Sequence, residues 1–269
     1  MTHLDQILAS TRRDLERRKQ TADRAALERR AARHIPRGFA SSLRAKAASD
    51  PAVIAELKKA SPSRGLIRED FQIDPLATML ANSGAAALSV LTEEHFFQGS
   101  LDNLEAASAA ASIPCLRKDF IVDEFQILEA RAFSADAILL IAAALDDSAL
   151  KHLTGAAHKH GLDVLCEVHD AGEAARVLGL DCDAIGVNNR NLRNFEVSLD
   201  TSIQLAELLP ANMLRVAESG IHTAADITRL RAAGFDAFLI GESLMRQPDP
   251  RAALAALLAE AKSPREVPA

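Results

Sequence analysis

The chain has no tryptophan, no tyrosine and only 10 phenylalanines among its 269 residues. So few flat side chains make a poor platform for stacking nucleic-acid bases. A formal charge of -6, from 31 basic against 37 acidic residues, also removes any general attraction to a polyanion. No nucleic-acid partner is expected. Long apolar runs are missing too: the 48% hydrophobic content is broken into short segments, none near the roughly 20 residues a membrane span needs. The opening MTHLDQILASTRRDLERRKQ has neither the apolar core nor the small-residue cleavage site of a secretory signal. A soluble, cytoplasmic protein is the expectation.

Cysteine is scarce. Cys115, Cys166 and Cys182 form no CxxC pair and no even set for disulfides, and each lies in or beside a strand-like run, so all three read as small buried hydrophobes. Cys166 adjoins Glu167; neighbours on a strand face opposite ways, so a mouth-facing Glu167 turns Cys166 toward the outside. His95, His152, His158, His160, His169 and His222 lack paired metal-ligand spacing on one element and read as surface residues. No glycine-rich turn opens a dinucleotide-binding unit. Neither a metal nor a bound cofactor is expected.

What the chain does have is a repeat. Short apolar runs at 53–58, 86–92, 113–118, 137–142, 163–168, 184–188, 214–218 and 237–241 read as strands. Helical patterns follow them at 73–83, 100–111, 123–134, 146–160, 170–178, 200–209, 222–233 and 249–261. A βα unit repeated eight times fits a closed (β/α)8 TIM barrel, although a doubly wound open sheet shares the local pattern. No linker divides the chain, so 1–269 reads as one barrel domain with 1–50 as an N-terminal helical extension. Most of 2–33 has helical character, with Arg12, Arg13, Arg17, Arg18 and Lys19 beside Asp14 and Glu16. This segment reads either as a solvated helix packed on the barrel or as a cap over its mouth. The final AKSPREVPA reads as a loose tail.

Polar residues gather where the runs end. Glu56, Lys58, Lys118, Glu167, Asn188 and Glu218 all stand at the carboxyl ends of strands, where parallel α/β folds collect their ligands. Two lysines and three carboxylates converging on one cavity need a polar ligand or mutual pairing to offset desolvation. Lys118 could serve as an acid, an anion ligand or a Schiff-base nucleophile, and Glu167 as a complementary base. Asn188 and Arg190 offer orienting hydrogen bonds and charge, while Asn189 turns away. Phe97 and Phe120 could line an aromatic pocket. Ser61 in the loop after the first strand, Ser219-Gly220 after the seventh and Gly241-Glu242 after the eighth make a candidate phosphate site. A ring of structural salt bridges, a phosphosugar isomerase or aldolase, and a phosphate-binding scaffold without turnover remain open on these residues alone.

The phrases AELKKASPSRG at 55–65, SVLTEEHFFQGS at 89–100, LRKDF at 116–120, LCEVH at 165–169, IGVNNRNL at 185–192, ESG at 218–220 and IGESLM at 240–245 together resemble the indole-3-glycerol phosphate synthase family of tryptophan biosynthesis. That resemblance implies a carboxy-lyase acting on a phosphorylated, anthranilate-derived sugar, 1-(2-carboxyphenylamino)-1-deoxyribulose 5-phosphate, without a cofactor. It implies Lys118 as general acid in ring closure and Glu167 as the complementary acid/base. Lys58 would hold the substrate carboxylate, with Arg190 as a further contact on that side. Glu56, Asn188 and Glu218 would orient the polar network. Ser61, Ser219, Gly220, Gly241 and Glu242 would bind phosphate, Glu242 through its backbone N–H, since its carboxylate would repel the anion.

Overall fold

The computed structural model describes residues 2–191 and 195–261. Among these, eight parallel strands close into a barrel: β1 (Ala52–Leu57), β2 (Ala87–Leu91), β3 (Cys115–Lys118), β4 (Ala137–Ile141), β5 (Asp163–Val168), β6 (Ala184–Asn188), β7 (Arg215–Glu218) and β8 (Ala237–Ile240). The pairing of β8 with β1, from Ala52 opposite Ala237 to Ala55 opposite Ile240, shuts the sheet and rules out the open alternative. All eight expected strands are present. Helices α4 (Ile73–Asn82), α5 (Leu101–Ala110), α6 (Glu124–Ala132), α7 (Asp147–Lys159), α8 (Ala171–Val177), α9 (Asp200–Ala206), α10 (Ala224–Ala232) and α12 (Pro250–Glu260) follow the strands in turn, with the short α11 (Glu242–Met245) inserted after β8.

Strand alternation sorts the core into two layers. On β1, Val53, Ala55 and Leu57 face the surrounding helices, while Ala52 and Ile54 face the barrel interior. Glu56 continues that inner row toward the mouth. The interior is filled by Leu116, Leu139, Leu165, Val216 and Leu239, so the barrel is a packed core and not a pore.

The extension is more deeply built in than the sequence suggests. It consists of α1 (His3–Thr21), α2 (Arg24–Ala31) and α3 (Phe39–Ala47). The expected single helical stretch breaks at Ala22 because Asp23 caps a new helix, accepting from the Ala26 N–H. At the mouth side α1 is tied down by Arg18 to Glu129 at 2.7 Å, Lys19 to Asp123 at 2.6 Å and Asp14 to His95 at 2.7 Å. Three of its charges are thus spent on the barrel, and the Asp14–Arg17 pair at 2.9 Å is a local addition. Next, α2 descends along α6, where Arg30 lies 4.2 Å over the Phe133 ring.

The third helix closes the opposite end. Phe39 and Leu43, one turn apart, are fully buried among the interior residues. Around them Arg37 grips Asp136 at 2.6 Å, the Ala40 N–H donates to Asp163 at 2.8 Å, and Ser42 donates to the Ala86 carbonyl at 2.8 Å. All three acceptors stand where strands begin. The extension reads in sequence as a packed helix or a cap over the mouth; its third helix, α3, is instead the floor of the barrel.

The cysteines also differ from expectation. Cys166 does face outward into the helix layer, but it forms a disulfide with Cys182, just ahead of β6, with a Cα–Cα distance of 6.3 Å. Cysteine count could not show this, because the odd residue, Cys115, stays free and buried. Burial pushes its thiol up to about 12, so it is chemically inert. The tail beyond Ala261 and Leu192 of the fifth phrase lie outside the described residues.

Candidate active site

The mouth cavity opens at the carboxyl ends of the strands and is lined by Glu56, Lys58, Lys118, Glu167, Asn188 and Glu218 together. The six expected groups thus converge. Glu56 comes from β1, and the chain just past it brings Lys58 back over the same face, Nζ to Oε1 at 2.5 Å. Lys118 ends β3; its ammonium is 3.0 Å from Glu167 Oε2 and 3.6 Å from Glu218 Oε2. Asn188 closes β6 and accepts the Arg190 N–H at 3.0 Å through its side-chain oxygen.

Electrostatics assign the protons. Burial disfavours the Lys118 ammonium, yet Glu167, Glu218 and Glu56 around it outweigh that and raise its pKa well above the ordinary range. Burial also works against the Glu167 carboxylate, but Lys118 and His169 hold its pKa below normal. Glu218 moves the other way: burial and the nearby Glu167 charge push it up, against the pull of Lys118. The site therefore holds a charged lysine, an ionised Glu167 and a third carboxyl that readily takes a proton. An ammonium so firmly protonated is an acid and an anion ligand, and a poor Schiff-base nucleophile.

Two glycines make room for the carboxylates. A Cβ on Gly186 would overlap Glu218 Oε1, and one on Gly241 would overlap Glu56 Oε1. Gly186 sits on β6 beside β7, and Gly241 directly follows β8 beside β1. Each acid occupies the space its neighbour strand leaves empty.

The phosphate-side residues meet on one rim. Ser61, Ser219, Gly220, Gly241, Glu242 and Ser243 line the same cavity. Ser219 and Gly220 both take positive φ, 66° and 77°, which bends the loop so that successive backbone N–H groups can converge. Ser61 Oγ is buried and has no hydrogen-bond partner, as suits a donor turned toward a ligand. The carboxylate of Glu242 is drawn away by arginines: Arg64 and Arg246 each at 3.1 Å and Arg190 at 3.7 Å. Its charge is neutralised, and its backbone is left as the useful group. Arg190, expected beside a substrate carboxylate, stands on this rim, bridging toward the phosphate side.

Phe97 and Phe120 pair across the cavity with centroids 6.2 Å apart. Glu93 fixes the loop carrying Phe97 by accepting from the N–H groups of His95, Phe96 and Phe97. From the extension His3, Leu4 and Ile7 join the lining, and the His3 ring packs 4.9 Å from Phe195. This geometry favours the cap over the solvated helix.

Several contributors escaped the sequence reading. Asn189 does turn away, but it braces the site by donating to the Ser219 carbonyl at 3.1 Å and accepting from Ser202. His169, expected at the surface, lies wedged between Glu167 and Glu173 with only 11% of its side chain exposed. Alternation from Glu167 to His169 was the available signal. No group of three metal-ligating side chains occurs among the described residues. Nor is any helix among them long and apolar enough to cross a membrane.

Comparison with known proteins identifies the family. Residues 4–257 match the family described as indole-3-glycerol phosphate synthase. The chain is 58% identical over 255 residues to an indole-3-glycerol phosphate synthase of Koribacter versatilis, covering 95% of this chain and 98% of the relative. Against that of Albidiferax ferrireducens it is 52% identical over 263 residues, covering 96% and 98%. Among solved structures, the tryptophan synthase subunit alpha of Legionella pneumophila superposes with a TM-score of 0.59 at 16% identity, covering 83% of this chain and 96% of that one. That likeness concerns the barrel fold alone. With the family matched along nearly the whole chain, the chain belongs to the indole-3-glycerol phosphate synthase family.

Proposed function

We propose that the mouth cavity converts 1-(2-carboxyphenylamino)-1-deoxyribulose 5-phosphate to indole-3-glycerol phosphate, releasing carbon dioxide and water. The observation that carries this reading is the Lys118–Glu167–Glu218 cluster, set between a phosphate-side rim and an aromatic pair. A substrate with a phosphate at one end and a carboxylated ring at the other fits that polarity. Phosphate meets Ser61, the Ser219-Gly220 bend and the backbone after Gly241; the ring packs against the Phe97–Phe120 pair.

Ring closure joins an aromatic carbon to the ribulose carbonyl carbon, and the carbonyl π electrons move to oxygen. Lys118 is already protonated and supplies the proton that neutralises that oxygen. The C–CO2 bond then breaks, its electron pair restores the aromatic ring, and carbon dioxide leaves. Lys58, paired with Glu56, is the cation placed to hold the carboxylate before that step. Dehydration follows: the C–O bond breaks as the hydroxyl takes a proton, and a proton on the neighbouring ring CH2 carbon passes to a carboxylate as the indole C=C bond forms. Glu167 is the base for that removal, with Glu218 and Asn188 orienting the network. No external electron sink is required, because the forming indole is the sink.

Turnover of the carboxyphenylamino sugar by purified protein, followed by indole fluorescence, tests the reading directly. With no tryptophan in the chain, the background is low. Binding without product would leave a scaffold only, and borohydride trapping of substrate on Lys118 would point to the aldolase.

A further inference from the structure

The centre of the mouth sets Glu56, Glu167 and Glu218 around Lys58 and Lys118. A further cation stands behind this cluster. Glu167 stands near the end of β5, two residues before His169, so the two side chains leave on the same side. Glu167 Oε2 faces Lys118 at 3.0 Å while its Oε1 faces His169 Nε2 at 3.3 Å. That second approach is an ion-pair distance without the alignment of a full hydrogen bond.

The far side of the ring is fixed more firmly. His169 Nδ1 lies 3.0 Å from Glu173 Oε2, and the His169 backbone N–H donates to the same oxygen at 2.8 Å. Glu173 is held in turn at the start of α8, its N–H donating to the capping Asp170 at 2.9 Å. His169 does not line the mouth cavity; it faces a second hollow shared with Asp170, Glu173 and Arg176. Whatever it does to substrate, it does through Glu167.

Resting on the reading of Glu167 as the acid/base, we propose that His169, clamped by Glu173, is a positioning residue that holds Glu167 ionised and aimed at Lys118 from the side away from substrate. Lys118 surrenders its positive charge when it protonates the substrate oxygen, and at that moment Glu167 loses its nearest cation. His169 supplies the charge that stays. Burial opposes the imidazolium, but Glu167 and Glu173 on its two nitrogens raise its pKa to about 10, so it is charged near neutrality. The groups facing the pair are Lys118 from β3, Glu218 from β7, Glu56 from β1 and Glu173 from α8. None of these replaces the cation behind Glu167.

Three variants, His169→Asn, Glu173→Gln and Glu167→Gln, and the double variant His169→Asn/Glu167→Gln test this against wild type. Wild-type turnover is the control: its failure would remove the reading of the site, whereas the inference concerns only differences among active proteins. The expected result for His169→Asn is a KM within about twofold, a kcat lower by about tenfold and an acid limb of kcat/KM moved up by about one pH unit. Glu173→Gln should shift both in the same direction by less. In the double variant, loss of His169 should add almost nothing to loss of the Glu167 carboxylate, as coupled groups require. If the acid limb stays in place, if only KM changes, or if the losses in the double variant add, His169 is packing and the proposal fails. Should His169→Asn not fold, the Glu173→Gln profile decides in its place.

Discussion

Arg117 and Lys118 are neighbours on β3 that leave it in opposite directions. The Lys118 ammonium enters the mouth, while the Arg117 guanidinium is sealed in the barrel wall, its side chain 1% exposed. There it binds Asp119 at 2.7 Å, the Gln126 carbonyl at 2.6 Å and Glu129 at 3.4 Å. Glu129 also holds Arg18 of α1 at 2.7 Å. One buried carboxylate thereby joins the capping helix to the strand that presents the acid.

Glu129→Ala should cost about 3 kcal/mol, because it takes one of two carboxylates from the buried Arg117 guanidinium and unties Arg18 of α1. Thermal melting should show a fall of roughly 6–12 °C for a chain of this size. A melting point within a degree or two of wild type would mean that solvent or Asp119 fully compensates Arg117.

Lys118→Ala should leave the barrel folded and lower turnover by about 100-fold or more, the usual loss for a positioned acid. Single-turnover measurements on the folded variant isolate the chemical step. Wild-type chemistry there would move the acid role to Lys58.

Truncations should separate the two ends of the extension. Removing residues through Ala22 takes away α1 and leaves the floor, so a folded barrel with weaker substrate binding is expected. Removing α3 as well strips Phe39 and Leu43 from the interior, and the single change Phe39→Ala should already cost about 3–5 kcal/mol. Circular dichroism and steady-state assays distinguish the cases. Unchanged affinity in the shorter truncation would reduce α1 to a structural strut.

The His169 ring makes stability depend on alkaline pH. Its pKa is raised from 6.5 to about 10, so its contribution is complete below the unfolded value and is lost as pH climbs through the folded one. Wild type should therefore lose melting temperature between pH 7 and 10.5 more steeply than His169→Asn. Parallel curves would show that the ring is neutral in the native protein.

Much of this architecture was legible because short apolar runs and polar strand ends are local signals. Lys118 at a strand end reads as mouth-facing, and Leu116, two residues before it, fills the interior. The same alternation sends Arg117 outward, but only the fold reveals that Glu129 and Asp119 await it. Glu242 looked electrostatically awkward in sequence; Arg64, Arg190 and Arg246 reach it from three separate segments, and such a convergence has no local signature. Phe39 and Leu43 carry a faint helical signal, one turn apart after Gly38. Their destination at the base of the barrel is a tertiary fact, as is the meeting of Cys166 with Cys182.

The overlaps at Gly186 and Gly241 change what counts as the transferable unit of this site. Grafting Glu56 and Glu218 onto another barrel would fail wherever the adjoining strand carries even an alanine, since each carboxylate would be turned off its lysine. Gly186→Ala and Gly241→Ala should consequently impair turnover in a protein that still folds, although neither changes a charged group. A designer must copy the hollow along with the acid that fills it.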